Sequence, residues 1–241
     1  GHFSGRLTAP LVIAGSLCRS YIKEKYNTGI FSHIKSIGGI EDISFSFSEK
    51  NIIINDFNFS GLEVFDKNAE KRMTELIENT AKQGDSLGGA IECCITGAHE
   101  GLGSPFMQGI ESRLASLLFS IPAVKGVEFG KGFEICKMTG SQANDAIRAE
   151  GGRFYTLTNN NGGILGGISN GMPILFSVGI KPTASIAVKQ QTATISGENI
   201  EHTIRGRHDA CIVPRALPVV ESAAAIIMLD LYLEKYGYAN N

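Results

Sequence analysis

The chain has 241 residues, of which 43% are hydrophobic and 19% are charged, and its formal net charge is −2. This balance excludes a general electrostatic attraction to nucleic acid or to an anionic membrane. The length suits one large domain or two small ones. Glycine is over-represented, because the 29 glycines occur in clusters that mark tight turns or a close approach of the backbone to a ligand.

The first predicted element is a helix that follows a short loop. Thr8 is placed to cap this helix, Pro10 suits its first turn, and apolar residues continue the pattern to about Lys25. Residues 29–47 alternate weakly between apolar and polar side chains, which predicts strands broken by a Gly-Gly pair. Residues 51–59 alternate apolar side chains with asparagine and aspartate, which predicts a solvated excursion.

The middle of the chain alternates helical and strand patterns. A helix is predicted from Asp66 or Asn68 to Lys82, because the apolar side chains at 73, 76 and 77 share one face. Residues 90–96 predict a short strand that is buried on both faces if its two cysteines lie inside. The next predicted elements are a helix over 106–119 and strands over 124–129 and 133–137.

The last third of the chain ends in a long helix, predicted from Pro218 to Lys235. Before it, Ser141 is predicted to cap a short helix to Glu150, and strands are predicted over 173–179 and 185–195. Helices and strands interleave without a strict βαβ order, which predicts an α+β fold with helices layered against sheets. A glycine-containing loop precedes an apolar helix at 97–119 and again at 206–235, which suggests an internal duplication.

The cysteines predict neither disulfides nor a metal site. Their number, five, is odd, their spacing is irregular, and the adjacent Cys93 and Cys94 do not match the spacing of zinc ligands. Buried thiols in a reducing compartment are the expectation. No signal peptide and no membrane-spanning apolar run is recognised, since the most apolar stretch is interrupted by Asp230. The predicted location is the cytoplasm.

Two segments suit an anionic or flat ligand through their backbone. Residues 1–10 place Arg6 just before a helix N-terminus, where amides and a guanidinium can hold a carboxylate or a phosphate. Residues 161–171 contain five glycines, so a ring or a phosphate could lie against bare backbone. A capped helix start with a solvated arginine and a flexible loop are the alternative interpretations.

Two further segments suit an anionic ligand through their side chains. Residues 181–185 join a lysine to two hydroxyls on a loop stiffened by proline, which suits a phosphate cradle. Residues 206–211 supply Arg207, His208 and Asp209 just before a long helix, which suits proton transfer near an anionic substrate. A surface turn and a solvated charge run are the alternatives that the residues alone leave open.

Six motifs occur in a fixed order along the chain. They are Gly-His-Phe-Ser-Gly-Arg-Leu-Thr-Ala-Pro at 1–10, Gly-Asp-Ser-Leu-Gly-Gly at 84–89, Ala-Val-Lys-Gly-Val-Glu-Phe-Gly at 123–130, Gly-Gly-Ile-Leu-Gly-Gly-Ile-Ser-Asn-Gly at 162–171, Lys-Pro-Thr-Ala-Ser at 181–185 and Gly-Arg-His-Asp at 206–209. With these motifs the chain resembles the chorismate synthase family over essentially all of its length.

The resemblance implies a single domain over residues 1–241, in which helices are packed between antiparallel sheets as a layered β-α-β sandwich, and a homotetramer. The positions that match FMN-binding residues of the family are His2, Phe3, Ser4, Pro122, Ala123, Gly166, Lys181, Pro182, Thr183, Ala184, Ser185 and Arg207. Arg6 matches a substrate-binding arginine. Asp209 matches the catalytic acid that assists proton handling at the flavin.

The implied reaction belongs to the shikimate pathway of aromatic amino acid biosynthesis. It is the anti 1,4-elimination of phosphate from 5-enolpyruvylshikimate 3-phosphate, which gives chorismate and requires reduced FMN. NADPH is a candidate reductant, and whether the enzyme or another reductase reduces the flavin is left open. The protein's own contribution is orientation and electrostatics.

Two departures from the family pattern qualify this prediction. Ala210 stands where the family commonly has proline. A family segment with two general-acid histidines and further arginines is expected before Gly1, so the 241 residues alone are expected not to turn over substrate. The alternative is a non-catalytic flavin-binding or oligomer-forming module that retains the fold.

Overall fold

A computed structural model describes residue 2 and residues 4–48, 51–53, 61–206 and 208–237. The helices are α1 (Ala9–Tyr26), α2 (Lys67–Lys82), α3 (Ile110–Ser120), α4 (Gly140–Ala143) and α5 (Val213–Tyr236), with short 3₁₀ helices at Gly5–Thr8, Phe106–Gln108 and Gly132–Lys137. The strands are β1 (Gly29–Ile37), β2 (Ile40–Glu41), β3 (Ser46–Ser48), β4 (Asn51–Ile53), β5 (Gly89–Thr96), β6 (Val124–Phe129), β7 (Ile147–Glu150), β8 (Arg153–Thr156), β9 (Ile164–Leu165), β10 (Ile168–Ser169), β11 (Ile174–Ile180), β12 (Gln190–Ala193) and β13 (Asn199–His202).

Five strands form the central sheet in the order β2-β1-β5-β11-β6, and every neighbouring pair is antiparallel. The other strands form separate two-stranded hairpins. The helices α1, α3 and α5 pack on the central sheet and on one another, and the largest group of buried side chains lies between them. This arrangement confirms the predicted α+β fold of helices packed on antiparallel sheets.

Helix α5 packs closely against α1 because two small residues face each other. A Cβ atom built on Gly15 of α1 would lie 2.2 Å from Cβ of Ser222 in α5. Such a distance is far inside van der Waals contact, so glycine at this position permits the observed helix separation. On the sheet side, α5 contributes fully buried alanines at 223–225 to the core.

The opposite face of the sheet carries a buried polar cluster. Nδ1 of His33 lies 3.0 Å from Oδ2 of Asp42, and its Nε2 lies 2.9 Å from Oε2 of Glu92. The two carboxylates also accept backbone N–H groups, Glu92 from Phe45 and Asp42 from Phe65 and the residue after it. His33 therefore joins both ends of the connection between β2 and α2 to the sheet.

The ionisation of this cluster is set by its own members. Burial alone lowers the pKa of His33, but the hydrogen bonds and the charges of Asp42 and Glu92 outweigh burial and raise it above its ordinary value. Burial raises the pKa of each carboxyl, and the hydrogen bonds from His33 and the backbone outweigh it, so both values are lowered. These shifts favour the charged form of each group, an imidazolium between two carboxylates.

Several predicted elements are confirmed, with small shifts at their ends. Asp66 caps α2 by accepting the N–H of Asn68, and Pro10 occupies the first turn of α1. Cys93 and Cys94 are both fully buried, as expected for a strand covered on both faces. Thr8 precedes α1, but its hydroxyl donates to the carbonyl of Gly5 and does not cap the helix.

Three predicted elements are wrong in kind or extent. Residues 132–137 form a 3₁₀ helix where a strand is predicted, and the helix predicted to reach Glu150 ends at Ala143, before β7. Of residues 185–195, β12 occupies only 190–193. Residues 54–59 of the predicted excursion lie outside the described residues.

Helix α5 begins five residues before the predicted start at Pro218. Pro214 already lies in its first turn, and Pro218 is accommodated inside the helix. The complete helix is long and apolar enough to cross a membrane, contrary to the prediction that no such run exists. However, 61% of its most apolar window is buried inside the protein, which is typical of a core helix.

Candidate functional site

A cavity of about 570 Å³ lies where four separate parts of the chain meet. Its size is within the range of about 300–1,000 Å³ that is typical of small-molecule sites. The lining residues are Ser4, Gly5, Arg6, Thr8, Ile121, Pro122, Ala123, Lys181, Pro182, Thr183, Ala184, Ser185, Asp209, Ile212, Arg215, Ala216 and Val219. The N-terminal residues, the start of β6, the loop after β11 and the start of α5 thus form one site.

The loop after β11 supplies most of the polar lining. Strand β11 ends at Ile180, and the N–H of Lys181 donates to the carbonyl of Ala123 at 2.9 Å. This bond fixes the loop against the start of β6. Pro182 then restricts the backbone, so that Lys181 and the two hydroxyl residues of the loop stay at the cavity wall.

Ala123 has an unusual backbone conformation at this wall. Its φ angle is +75°, which is uncommon for a residue with a side chain. Strained residues of this kind persist only where the surrounding structure fixes them, and they are concentrated at functional sites. The conformation directs the Ala123 carbonyl to the N–H of Lys181, and the same residue lines the cavity.

The N-terminal wall is built by the 3₁₀ helix at Gly5–Thr8. The hydroxyl of Ser4 accepts the N–H of Arg6 at 3.2 Å, which caps this helix. The helix continues directly into α1, whose packing against α5 holds the segment in place. Arg6 is exposed at the cavity and offers guanidinium donors to an anion.

Asp209 and Arg215 form an ion pair at the opposite wall, with Nη1 2.7 Å from Oδ2. The side chains are 43% and 72% exposed, respectively, and a surface pair of this type stabilises a fold by only about 0–1 kcal/mol. The pair therefore has little structural value. The pair places a carboxylate and a guanidinium at the cavity, and the guanidinium has further N–H donors available for a ligand.

The motif at 84–89 lies behind the cavity and connects its loops. Oγ of Ser86 donates to the carbonyl of Thr183 at 2.7 Å, and the N–H of Leu87 donates to the carbonyl of Ala210 at 2.7 Å. A Cβ atom on Gly88 would lie 2.5 Å from the carbonyl oxygen of Ile180. The motif thus holds the loop after β11 and the segment before α5 in a fixed relation.

Most of the predicted site residues meet at the cavity, but not all of them. Ser4, Arg6, Pro122, Ala123, residues 181–185 and Asp209 line it. His2 is exposed in a turn and does not belong to the lining. Phe3 and Arg207 lie outside the described residues.

Gly166 lies elsewhere, in the turn between β9 and β10. Its φ angle is +60°, and no heavy atom would contact a Cβ placed on it. The glycine-rich stretch is therefore a tight hairpin. Ile164 is buried and anchors the hairpin in the core, whereas Leu165 is 43% exposed.

The cavity also contains residues that sequence reasoning missed, chiefly those of the first turns of α5. Ile212, Arg215, Ala216 and Val219 contribute to its wall. The signal was present in Pro214, since proline is favoured in the first turn of a helix and marks an earlier start than Pro218. With the start at Val213, the first two turns of α5 face the cavity.

The chemistry of this lining fits a ligand that has an anionic group and an apolar body. Three cations, Arg6, Lys181 and Arg215, face one carboxylate, Asp209. Apolar side chains from the segment between α3 and β6 and from α5 complete the wall. A phosphorylated ring compound such as FMN meets both requirements. Among the residues that the structure describes, no cluster of side chains could hold a metal ion.

Comparison with known proteins identifies a single family. A family model described as chorismate synthase matches residues 1–233. Chorismate synthase of Thermococcus gammatolerans is 43% identical over 239 residues, which are 99% of this chain and 65% of that protein. Chorismate synthase of Pyrococcus abyssi is 44% identical over 231 residues, covering 95% of this chain and 63% of that protein.

The same family is found among solved structures. A crystal structure of chorismate synthase superposes with a TM-score of 0.75 and 29% sequence identity, covering 97% of this chain and 65% of that one. The chain thus spans slightly less than two thirds of the length of the relatives that it matches.

Proposed function

Because the chain belongs to the chorismate synthase family, we propose that its cavity binds reduced FMN beside 5-enolpyruvylshikimate 3-phosphate, and that the protein eliminates phosphate from this substrate to give chorismate. The observation that carries the proposal is the meeting of Arg6, Lys181 and the Asp209–Arg215 pair at one cavity. These groups come from three separate segments of the chain, and a merely solvated set of charges has no reason to converge.

The loop at 181–185 is the proposed site of the flavin phosphate. The Thr183 hydroxyl donates to the carbonyl of Asp209 at 3.2 Å, so its hydrogen is not available to a ligand. Lys181 and Ser185 are the loop side chains left to donate. Pro122 and Ala123, together with the apolar side of α5, are the proposed wall for the ring.

The remaining groups act on the substrate. Arg6 and Arg215 hold its anionic groups, and Asp209 holds or transfers a proton at the reacting centre. A bound flavin and substrate displace water from the cavity, which strengthens the charge interactions inside. When bound, the reduced flavin supplies an electron-rich ring that assists departure of the phosphate.

The binding part of the proposal is tested by titration of the 241-residue chain with FMN and, separately, with riboflavin, which lacks the phosphate. Lys181→Met removes a charge-assisted hydrogen bond of about 1.5–3 kcal/mol, which corresponds to about 10- to 100-fold weaker FMN binding. Lys71→Met, at an exposed position of α2 outside the cavity, is the matched control. Equal affinities of the parent chain for FMN and riboflavin would contradict the phosphate site.

The catalytic part is tested on the protein that carries this chain, by anaerobic chorismate release with chemically reduced FMN and the enolpyruvyl substrate. Substrate and FMN binding without chorismate release would favour a non-catalytic flavin-binding module. NADPH is proposed as the reductant. Anaerobic bleaching of the flavin absorbance by NADPH alone would support this role, and its absence would require a separate reductase.

We further propose a homotetramer in the cytoplasm. Ile13, Leu17 and Tyr21 repeat every four residues on α1 and are 66%, 70% and 45% exposed, as expected for a face that packs against a neighbour. All five cysteines are free thiols, which suits a reducing compartment. Light scattering that reports a monomer would contradict the assembly.

A further inference from the structure

His208 lies behind the proposed phosphate site and contacts it through one side chain. Its Nδ1 is 3.0 Å from Oγ of Ser185, and its Nε2 is 3.2 Å from the carbonyl oxygen of Ile204. His208 itself does not line the cavity, whereas Ser185 does. His208 therefore contacts the proposed phosphate site through the Ser185 hydroxyl.

The carbonyl of Ile204 determines which ring nitrogen carries a hydrogen. A carbonyl oxygen only accepts, so Nε2 of His208 is the donor in that contact. In a neutral imidazole, Nδ1 is then a bare acceptor, and the hydroxyl of Ser185 must donate to it. In this state Ser185 has no hydrogen left for a ligand.

A phosphate dianion offers acceptors only, so this state does not suit the proposed ligand. If His208 gains a proton, Nδ1–H donates to Oγ of Ser185, and the hydroxyl hydrogen is free to turn toward the cavity. The proton comes from solvent: an O–H bond of hydronium breaks, the Nδ1–H bond forms, and no other covalent bond changes. Protonation of His208 thus frees the hydroxyl hydrogen of Ser185, which can then donate to a phosphate.

We propose, on the basis of the function proposed above, that His208 is a positioning residue that converts Ser185 into a phosphate donor and couples phosphate binding to proton uptake. The charged groups that the structure describes at 181–189, at 204–212 and in the first two turns of α5 are Lys181, Lys189, Arg205, Asp209 and Arg215, of which Asp209 and Arg215 pair with each other. A bound phosphate adds negative charge beside Ser185, which favours the protonated ring.

Two substitutions separate this role from simple anchoring of the loop. The amide of His208→Asn occupies the place of Nδ1 and can donate to Ser185, but it does not reach the Ile204 carbonyl. The amide of His208→Gln occupies the place of Nε2 and keeps the Ile204 contact, but it loses Ser185. We expect His208→Asn to keep the preference for FMN over riboflavin, and His208→Gln to reduce it about tenfold or more.

Proton coupling gives a second readout. Histidine loses its charge between about pH 5 and 8, whereas the FMN phosphate gains charge above its second pKa of about 6. The preference of the parent chain for FMN over riboflavin should therefore fall as pH rises above neutrality, against the trend of the phosphate itself. His208→Asn should not show this fall, because an amide does not titrate.

The results that overturn the inference differ from those that overturn the proposed function. Absence of FMN binding by the parent chain refutes the function. The inference is overturned if FMN binds and His208→Gln keeps the FMN preference, if His208→Asn loses it, or if either variant loses FMN and riboflavin equally. The tautomer is checked without ligand from the ¹⁵N shifts of His208. A hydrogen on Nδ1 and not on Nε2 in the neutral ring overturns the inference whatever the binding result.

Discussion

Replacement of His33 by leucine tests the buried polar cluster on the face of the central sheet opposite the helices. The side chains of His33 and Asp42 are 0% exposed and that of Glu92 is 12% exposed, so the three groups depend on one another for solvation. Leucine fills the space but leaves two carboxylates without their cation. Loss of one partner from a buried pair costs about 3–5 kcal/mol.

The remaining hydrogen bonds determine which of the two carboxylates is destabilised more in His33→Leu. Asp42 keeps the backbone N–H groups of Phe65, Asp66 and Ile43. In the part of the chain that the structure describes, Glu92 keeps one hydrogen bond of this kind, from the N–H of Phe45. Most of the loss is therefore expected at Glu92. For a chain of this length, about 3–5 kcal/mol corresponds to a decrease in Tm of about 6–20 °C.

Urea unfolding followed by far-ultraviolet circular dichroism measures the free energy of unfolding of both forms. His202→Leu is the control, because His202 is exposed on β13 and its loss should change stability by no more than about 0.5 kcal/mol. A loss below about 1 kcal/mol for His33→Leu, similar to that of the control, would refute the reasoning.

The loss of free energy of unfolding in His33→Leu, called the deficit below, depends on pH because the pKa values of the cluster are shifted. The pKa of His33 is raised, so its contribution is fully present below about pH 6.5 and is lost as pH rises through the folded value. The pKa values of Asp42 and Glu92 are lowered, so their contribution is present above about pH 4 and is lost as pH falls. The deficit of His33→Leu should be largest near about pH 5.5 and smaller near about pH 9. A loss of stability that grows between about pH 5.5 and pH 9 would contradict the assigned charges.

Two further predictions concern the helix contact and the cavity. Gly15→Ala should lower the free energy of unfolding by about 1–3 kcal/mol, because the added methyl overlaps Ser222. Gly140→Ala is the control and should not lower it, since no atom lies within 4 Å of a Cβ at that position. Urea unfolding measures both. Asp209→Asn, in the protein that carries this chain, should lower the rate of chorismate release by about 10²–10⁴-fold with a smaller change in FMN affinity. Unchanged turnover with weakened flavin binding would remove Asp209 from the proposed proton transfer.

The predictability of the fold from sequence depended on local signals. Helix α2 has an aspartate cap and a regular apolar face, so it was predicted nearly to the residue. The segment 132–137 alternates weakly between apolar and polar residues. Gly132, the second glycine of the preceding Gly-Lys-Gly turn, has a φ of +50° and is the first residue of the 3₁₀ helix. Alternation over so few residues does not distinguish a strand from a 3₁₀ helix.

The site was predictable in its parts but not in its assembly. Motif resemblance located Arg6, residues 181–185 and Asp209, and the structure brings them to one cavity. Neither motif nor periodicity indicated that Gly166 lies in a separate hairpin, because only tertiary contacts place β9 and β10. The pairing of Arg215 with Asp209 was hidden by the late predicted start of the last helix.

The connection of Ser86 to Thr183 spans 97 residues of chain, and the cavity closes only with residues up to Val219. During synthesis, the ribosome must therefore release the chain at least as far as Val219 before the cavity is complete. A ligand cannot stabilise the earlier, partly folded chain at this site. Until then, burial of the strands and helices already made has to protect the nascent protein from aggregation.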